Sequence, residues 1–191
     1  MTVRLSREEM LRRRRIADGL EPLRTDCTVE RTDGVDIDAM LEADLRRRYL
    51  ELLDTAPREL LAPENLAVKT DCRRVDADGT TCALIDVPPE VRRVFGVKMR
   101  GWARAVPVLG SSELERVAAL QRNRFTAATA WRPVAVFSEG DSGGNIGPVM
   151  VWPLTGLYPE VEEFVAVYDT GDEEYAFDEA ALEHLLTPTK N

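Results

Sequence analysis

The stretch whose residue types come nearest to covalent chemistry is Gly140-Asp141-Ser142-Gly143-Gly144. It matches both the G-D-S-G-G and the G-x-S-x-G arrangements that hold nucleophilic serines in hydrolases. A serine hydroxyl needs a neighbouring base to take its proton. The single histidine, His184, follows Ser142, so no histidine and aspartate pair precedes the serine. The order Ser142, Asp169, His184 suits an α/β-hydrolase, whose serine sits on a strand-to-helix elbow in a parallel sheet. The residues after Ser142, Gly143-Gly144-Asn145-Ile146-Gly147-Pro148, cannot open a helix. The segment reads as a glycine-rich connection between antiparallel strands, and a serine hydrolase built on Ser142 stands as the alternative function.

Metal and cofactor motifs fail on spacing. Asp76-x-Asp78-Gly79 resembles part of a calcium loop, but position 74 is Arg and position 85 is Ile where ligands are required. It reads as a β-turn. Asp169, Asp172, Glu173 and Glu174 read as a solvated acidic turn. Cys27, Cys72, Cys82 and His184 come from separate segments with no C-x-x-C pair, so no zinc site is expected. Cys72 and Cys82 flank a hairpin turn and could face each other across it; buried free thiols in a reducing compartment are the expectation. Neither phosphate-binding glycine loop occurs. No catalytic, metal or cofactor site is expected.

Charge supplies the remaining candidate. The 191 residues hold 25 Lys and Arg against 34 Asp and Glu, a net −9. Six arginines and two glutamates fall in the first fifteen residues, whereas residues 139–191 carry twelve acids and one base. Arg12, Arg13, Arg14 and Arg15 exceed what Glu8, Glu9 and Asp18 can pair with on one helix. They are the candidate assembly element, docking on an acidic surface of a neighbouring chain. An acidic chain is a poor sequence-specific nucleic-acid binder. The start lacks an apolar signal core, and no apolar run approaches the ~20 residues of a membrane span. A cytoplasmic protein is expected.

The elements that must position these residues change character along the chain. Ser6 and Glu9 form a capping box for a helix over 7–17. Asp36 or Asp38 caps a second helix reaching residue 53. Its apolar residues Ile37, Met40, Leu41, Leu45, Tyr49, Leu52 and Leu53 share one face, and Leu41, Leu45, Tyr49 and Leu52 should pack on a sheet. A short helical turn covers 58–61. Strands are expected at 66–75, 80–87, 94–108, 131–137, 149–154 and 164–168. A helical turn at 90–94, a helix from Ser112 to 122 and a closing helix over 177–186, capped by Asp178, complete the pattern. Helices followed by strands without βαβ alternation predict α+β: N-terminal helices, then a mainly antiparallel β-sheet with one inserted helix and a C-terminal helix. The division expected is a helical region 1–65 and a β-rich region 66–191.

Four segments together carry a resemblance. They are Ile85-Asp86-Val87-Pro88-Pro89-Glu90-Val91-Arg92-Arg93-Val94, Val97-Lys98-Met99-Arg100-Gly101-Trp102, Leu120-Gln121-Arg122-Asn123-Arg124-Phe125-Thr126 and Trp131-Arg132-Pro133-Val134-Ala135-Val136. In this order they resemble head–tail connector proteins of tailed bacteriophages and prophages, the adaptor or ring proteins between portal and tail. The likeness runs through residues 36–155 with gaps. It implies a non-catalytic structural protein that works through protein partners, as a homo-oligomer or ring, and that is a virion component if phage-encoded. A small ligand-binding or regulatory protein is the other alternative.

Overall fold

The computed structural model describes residues 1–20, 36–77, 79–138 and 146–187. It is α+β, with four α-helices and ten mostly antiparallel strands among those residues. The chain divides into two compact units, Met1–Ala62 with Asp169–Asn191, and Pro63–Tyr168. The change of character expected at residue 65 falls at Ala62, but the last residues belong with the first. Backbone pairing is the reason. β1 (Thr2–Ser6) runs antiparallel to β10 (Glu174–Asp178) along its whole length. Local pattern marks Ser6 only as a helix cap, gives residues 2–5 no element and puts Phe177 in a helix. Asp178 does cap, but what it caps is a 3₁₀ turn, Glu179–Ala181, leading into the short α4 (Leu182–Leu186).

Unit 1 is built on two helices. α1 (Arg7–Ala17) begins where Ser6 Oγ accepts the Glu9 N–H at 3.3 Å. α2 (Ile37–Thr55) begins where Asp36 Oδ1 accepts the N–H groups of Asp38 and Ala39. These bonds satisfy donors that a helix leaves open at its first turn. Leu45, Tyr49, Leu52 and Leu53 are buried with Met10, Phe177 and Leu185. Leu41 is half-buried, and Met40 is exposed, off the expected face. The sheet that α2 meets is the two-stranded one: the Tyr49 ring stands edge-on to Tyr175 of β10, 5.0 Å between centroids.

Unit 2 stacks two sheets and a helix. β2 (Glu64–Asn65), β9 (Val161–Tyr168) and β5 (Val91–Met99) form a three-stranded sheet in the order β2-β9-β5. β3 (Asp71–Ala77), β4 (Thr80–Asp86), β8 (Val149–Trp152), β7 (Val134–Phe137) and β6 (Val108–Leu109) form a five-stranded one in the order β3-β4-β8-β7-β6, with only β6 and β7 parallel. Alternation along β4 and β8 decides the layering. Ala83, Ile85, Val149 and Val151 face the other sheet and pack with Val97, Phe164 and Ala166. Cys82, Met150 and Trp152 face the opposite way and pack under Val117 of α3 (Leu114–Gln121).

Several boundaries differ from expectation for local reasons. Asn65 Oδ1 accepts the N–H of Ala67, folding residues 67–69 into a 3₁₀ turn and delaying β3 to Asp71. Residues 90–94 are not helical: Pro88 C=O accepts the Val91 N–H, and β5 starts there. The long strand expected over 94–108 breaks at Gly101, whose φ of +88° suits glycine. The chain then doubles back, so that Val97 and Val106 exchange two backbone hydrogen bonds of 2.9 Å. Ser112 does not cap a helix; a 3₁₀ turn at Ser111–Glu113 precedes α3.

Candidate protein interface

The structure separates the four candidate arginines. Arg12 and Arg13 stay near the surface and share Glu9, at 3.8 and 3.0 Å. Arg14 and Arg15 are buried inside unit 1 and cannot be an external docking element. Arg14 Nε donates to Asp18 at 2.9 Å, its Nη2 lies 3.4 Å from Asp44, and its Nη1 donates to the Leu186 carbonyl at 2.9 Å. That carbonyl ends α4, so Arg14 acts as a cationic cap on a helix C-terminus. Arg15 grips Asp38 with both nitrogens of its fork, Nε at 2.8 Å. The missing acids were on α2, out of reach of any count along α1. Burial pulls the Asp44 carboxyl upward, but Arg47, Arg48 and Arg14 outweigh it and hold it below its ordinary value.

Part of the acidic C-terminal stretch is paired in the same way. Arg46 bonds Asp169 at 2.5 Å and Asp172 at 3.0 Å, and Arg4 pairs with Glu174. The opposite charges at the two ends of the chain therefore meet inside one unit. Asp169 also accepts the Gly171 N–H at 2.9 Å. Its carboxylate is bound by a guanidinium, the wrong partner for orienting a catalytic histidine. His184 is exposed on α4. Ser142 and the glycine run 140–144, with Cys27 and Asp78, lie outside the described residues. The Asp76 motif is a hairpin turn, with Gly79 at φ +77° and Thr81 Oγ1 bonded to Asp76 at 2.7 Å.

Cys72 and Cys82 are free thiols. In register Cys72 faces Ile85 and Cys82 faces Val75, so the two sit on opposite faces of the hairpin and cannot be paired. Burial, aided by Asp86 beside Cys72 and Asp76 beside Cys82, pushes both up to about 11. Neither is a nucleophile at neutral pH. A cleft of about 360 Å³ in unit 2 is walled by Arg92, Val94, Phe95, Ser111, Phe137 and Ile146. No acid, histidine or cysteine lines it among the described residues.

The feature that stands apart is one end of unit 2. Three connections meet there: residues 100–107 between β5 and β6, 122–133 between α3 and β7, and 153–160 between β8 and β9. The Ala103 N–H donates to Ala130 C=O at 2.9 Å and the Arg100 N–H to Glu160 C=O at 2.9 Å. Buried Trp102 donates its indole N–H to Pro153 C=O at 3.0 Å, and Thr155 Oγ1 bonds the Arg100 carbonyl. A Cβ on Gly101 would lie 3.2 Å from the Thr155 side chain, so the loops touch there. This braced end carries Trp131, Leu157 and Tyr158, exposed by 79, 76 and 89%, and Phe125 under the Arg124 guanidinium at 4.7 Å. It also holds Arg100, Arg104, Arg122, Arg124 and Arg132 against one acid, Glu160, a local +4.

Hydrophobic pattern alone does not mark this end, since it puts Trp131 in a strand and assigns no element to 155–160. The available signal was turn chemistry. Pro153, Gly156 and Pro159 bracket Leu157 and Tyr158, and apolar residues inside a turn-rich loop have no strand face to bury them. Comparison with protein-family models and with curated proteins yields no match for this chain.

Proposed function

We propose that this protein is a non-catalytic assembly component that binds other protein subunits through the loop end of unit 2. A head–tail connector of a tailed phage or prophage is the setting that the sequence resemblance suggests. The observation carrying the reading is the presentation of Trp131, Leu157 and Tyr158 to solvent on loops held by backbone and indole hydrogen bonds. Large apolar side chains exposed together on a braced support are the composition of an interface centre, where aromatic and arginine anchors dominate binding. Holding the loops in place beforehand lowers the ordering cost of association.

The test is the double variant Trp131→Ala, Tyr158→Ala, followed by sedimentation velocity over a range of concentrations. Both residues are exposed, so the unfolding midpoint should hold while association falls. Association equal to that of the parent chain would refute the assignment of this end as the interface.

A further inference from the structure

We infer that the partner at the loop end is a second copy of this chain, docked head to tail, with the basic aromatic end of one copy against the acidic unit 1 of the next. The inference rests on the assembly reading above and adds partner and orientation. Charge carries it. Unit 1 holds a net −8 of the chain's −9, and unit 2 a net −1. Within unit 2 the loop end concentrates +4. One molecule therefore presents opposite signs on different units. The arginines of α1 do not supply the positive side: Arg14 and Arg15 are buried in ion pairs, and Arg7, Arg12 and Arg13 are paired with Glu42 and Glu9.

The negative side has exposed carboxylates available. Asp169, Asp172 and Glu174 are engaged by Arg46 and Arg4. Glu173, Glu179 and Glu183 are exposed. Glu179 opens the last 3₁₀ turn and Glu183 lies on α4 directly after it, so both are presented by one short helical segment.

Symmetry follows from sign. Two loop ends facing each other would set +4 on +4, and two copies of unit 1 would set acid on acid. Like charges across an interface are repulsive, so a two-fold contact through either surface is disfavoured. A head-to-tail contact puts unlike charges together, and such contacts close into rings or continue as filaments. The aromatic groups supply the area to be buried; Arg104, Arg124 and Arg132 supply steering and register. The same groups could meet phosphates, but the chain as a whole carries −9, which repels a polyanion.

The experiment uses the full chain and two charge-reversal variants at exposed positions, Arg124→Glu with Arg132→Glu, and Glu179→Lys with Glu183→Lys. Association is read by sedimentation velocity at low and high salt, with the unfolding midpoint checked for each. The parent chain should self-associate, and more weakly at high salt, where charges are screened within a few ångströms. Each variant alone should associate at least about tenfold more weakly, and an equimolar mixture of the two should recover. Recovery requires that the two surfaces touch each other. Weakening of the loop variant with no effect at Glu179 and Glu183 would overturn the head-to-tail pairing and leave the loop end as an interface for something else. Loss of binding in Trp131→Ala, Tyr158→Ala without any salt dependence would overturn the electrostatic pairing in the same way. A parent chain monomeric at all concentrations, or one that binds a labelled single-stranded 20-mer through the same arginines, would overturn the second-copy partner.

Discussion

Tyr49→Phe is the sharpest perturbation of unit 1, because it removes one oxygen from a fully buried side chain. The Tyr49 hydroxyl accepts the Ala176 N–H at 3.2 Å and donates to the Ala176 carbonyl at 3.3 Å. Among the described residues β10 pairs with β1 alone, and Ala176 directs its backbone groups to the other edge, where Tyr49 takes the place of a strand. Phenylalanine keeps the ring, the contact with Tyr175 and the packing volume. It leaves one donor and one acceptor unpaired on a residue that is itself buried. Each unsatisfied buried group costs about 1–3 kcal/mol. Release of the hydroxyl from burial offsets part of that, so a net loss of about 2–4 kcal/mol is expected. With a urea slope of about 1–3 kcal/mol per molar, the midpoint should fall by roughly 1–2 M at unchanged slope. Circular dichroism is the suitable probe, since all three tryptophans lie in unit 2. Native-state hydrogen exchange gives a local readout: the Ala176 amide should lose protection more than its neighbours. A midpoint that stays in place together with an unchanged Ala176 amide would refute the edge-capping argument.

Arg14→Met should cost about 3 kcal/mol, because it leaves Asp18 and the α4 carbonyls without their cation while Asp44 keeps Arg47 and Arg48, whereas Arg12→Ala should stay within about 0.5 kcal/mol; paired urea curves check both. Burial is the main cause holding the Tyr49 and Tyr175 hydroxyls above their ordinary value of 10.0. The unfolded chain loses those protons first, so stability should hold below about pH 10 and decline as pH rises past it. At the acid end the depressed Asp44 contributes stability present above about pH 4, which should drain away as pH falls through its lower folded value; urea midpoints from pH 2 to 11 would show both limbs. Buried Cys82 and half-buried Cys72 should resist iodoacetamide at pH 7.5 in the folded chain and react once denaturant is added, read by peptide mass mapping; rapid labelling of Cys82 in the folded state would contradict its burial.

Local signals in the sequence were enough for the helices. Ser6 and Asp36 accept hydrogen bonds from donors two or three residues away, and the apolar spacing of Leu45, Tyr49, Leu52 and Leu53 is a property of one helix. The β3–β4 hairpin was legible for the same reason, with turn residues between two apolar runs. The α+β class followed from the order of those elements. Three things were decided only by tertiary structure. Pairing of Thr2–Ser6 with Glu174–Asp178 joins the two ends of the chain and draws Phe177 into a strand, a choice no local propensity records. The fate of Arg14 and Arg15 turned on Asp38 and Asp44, whose distance along the chain says nothing of their distance in space. The loop end of unit 2 arose from hydrogen bonds between residues some 27 to 60 positions apart, such as Ala103 with Ala130 and Arg100 with Glu160. Capping, turns and periodicity act over a few residues and can be read from sequence. Charge pairing and the meeting of loops depend on where distant segments arrive, which is set by how the whole chain buries its apolar surface.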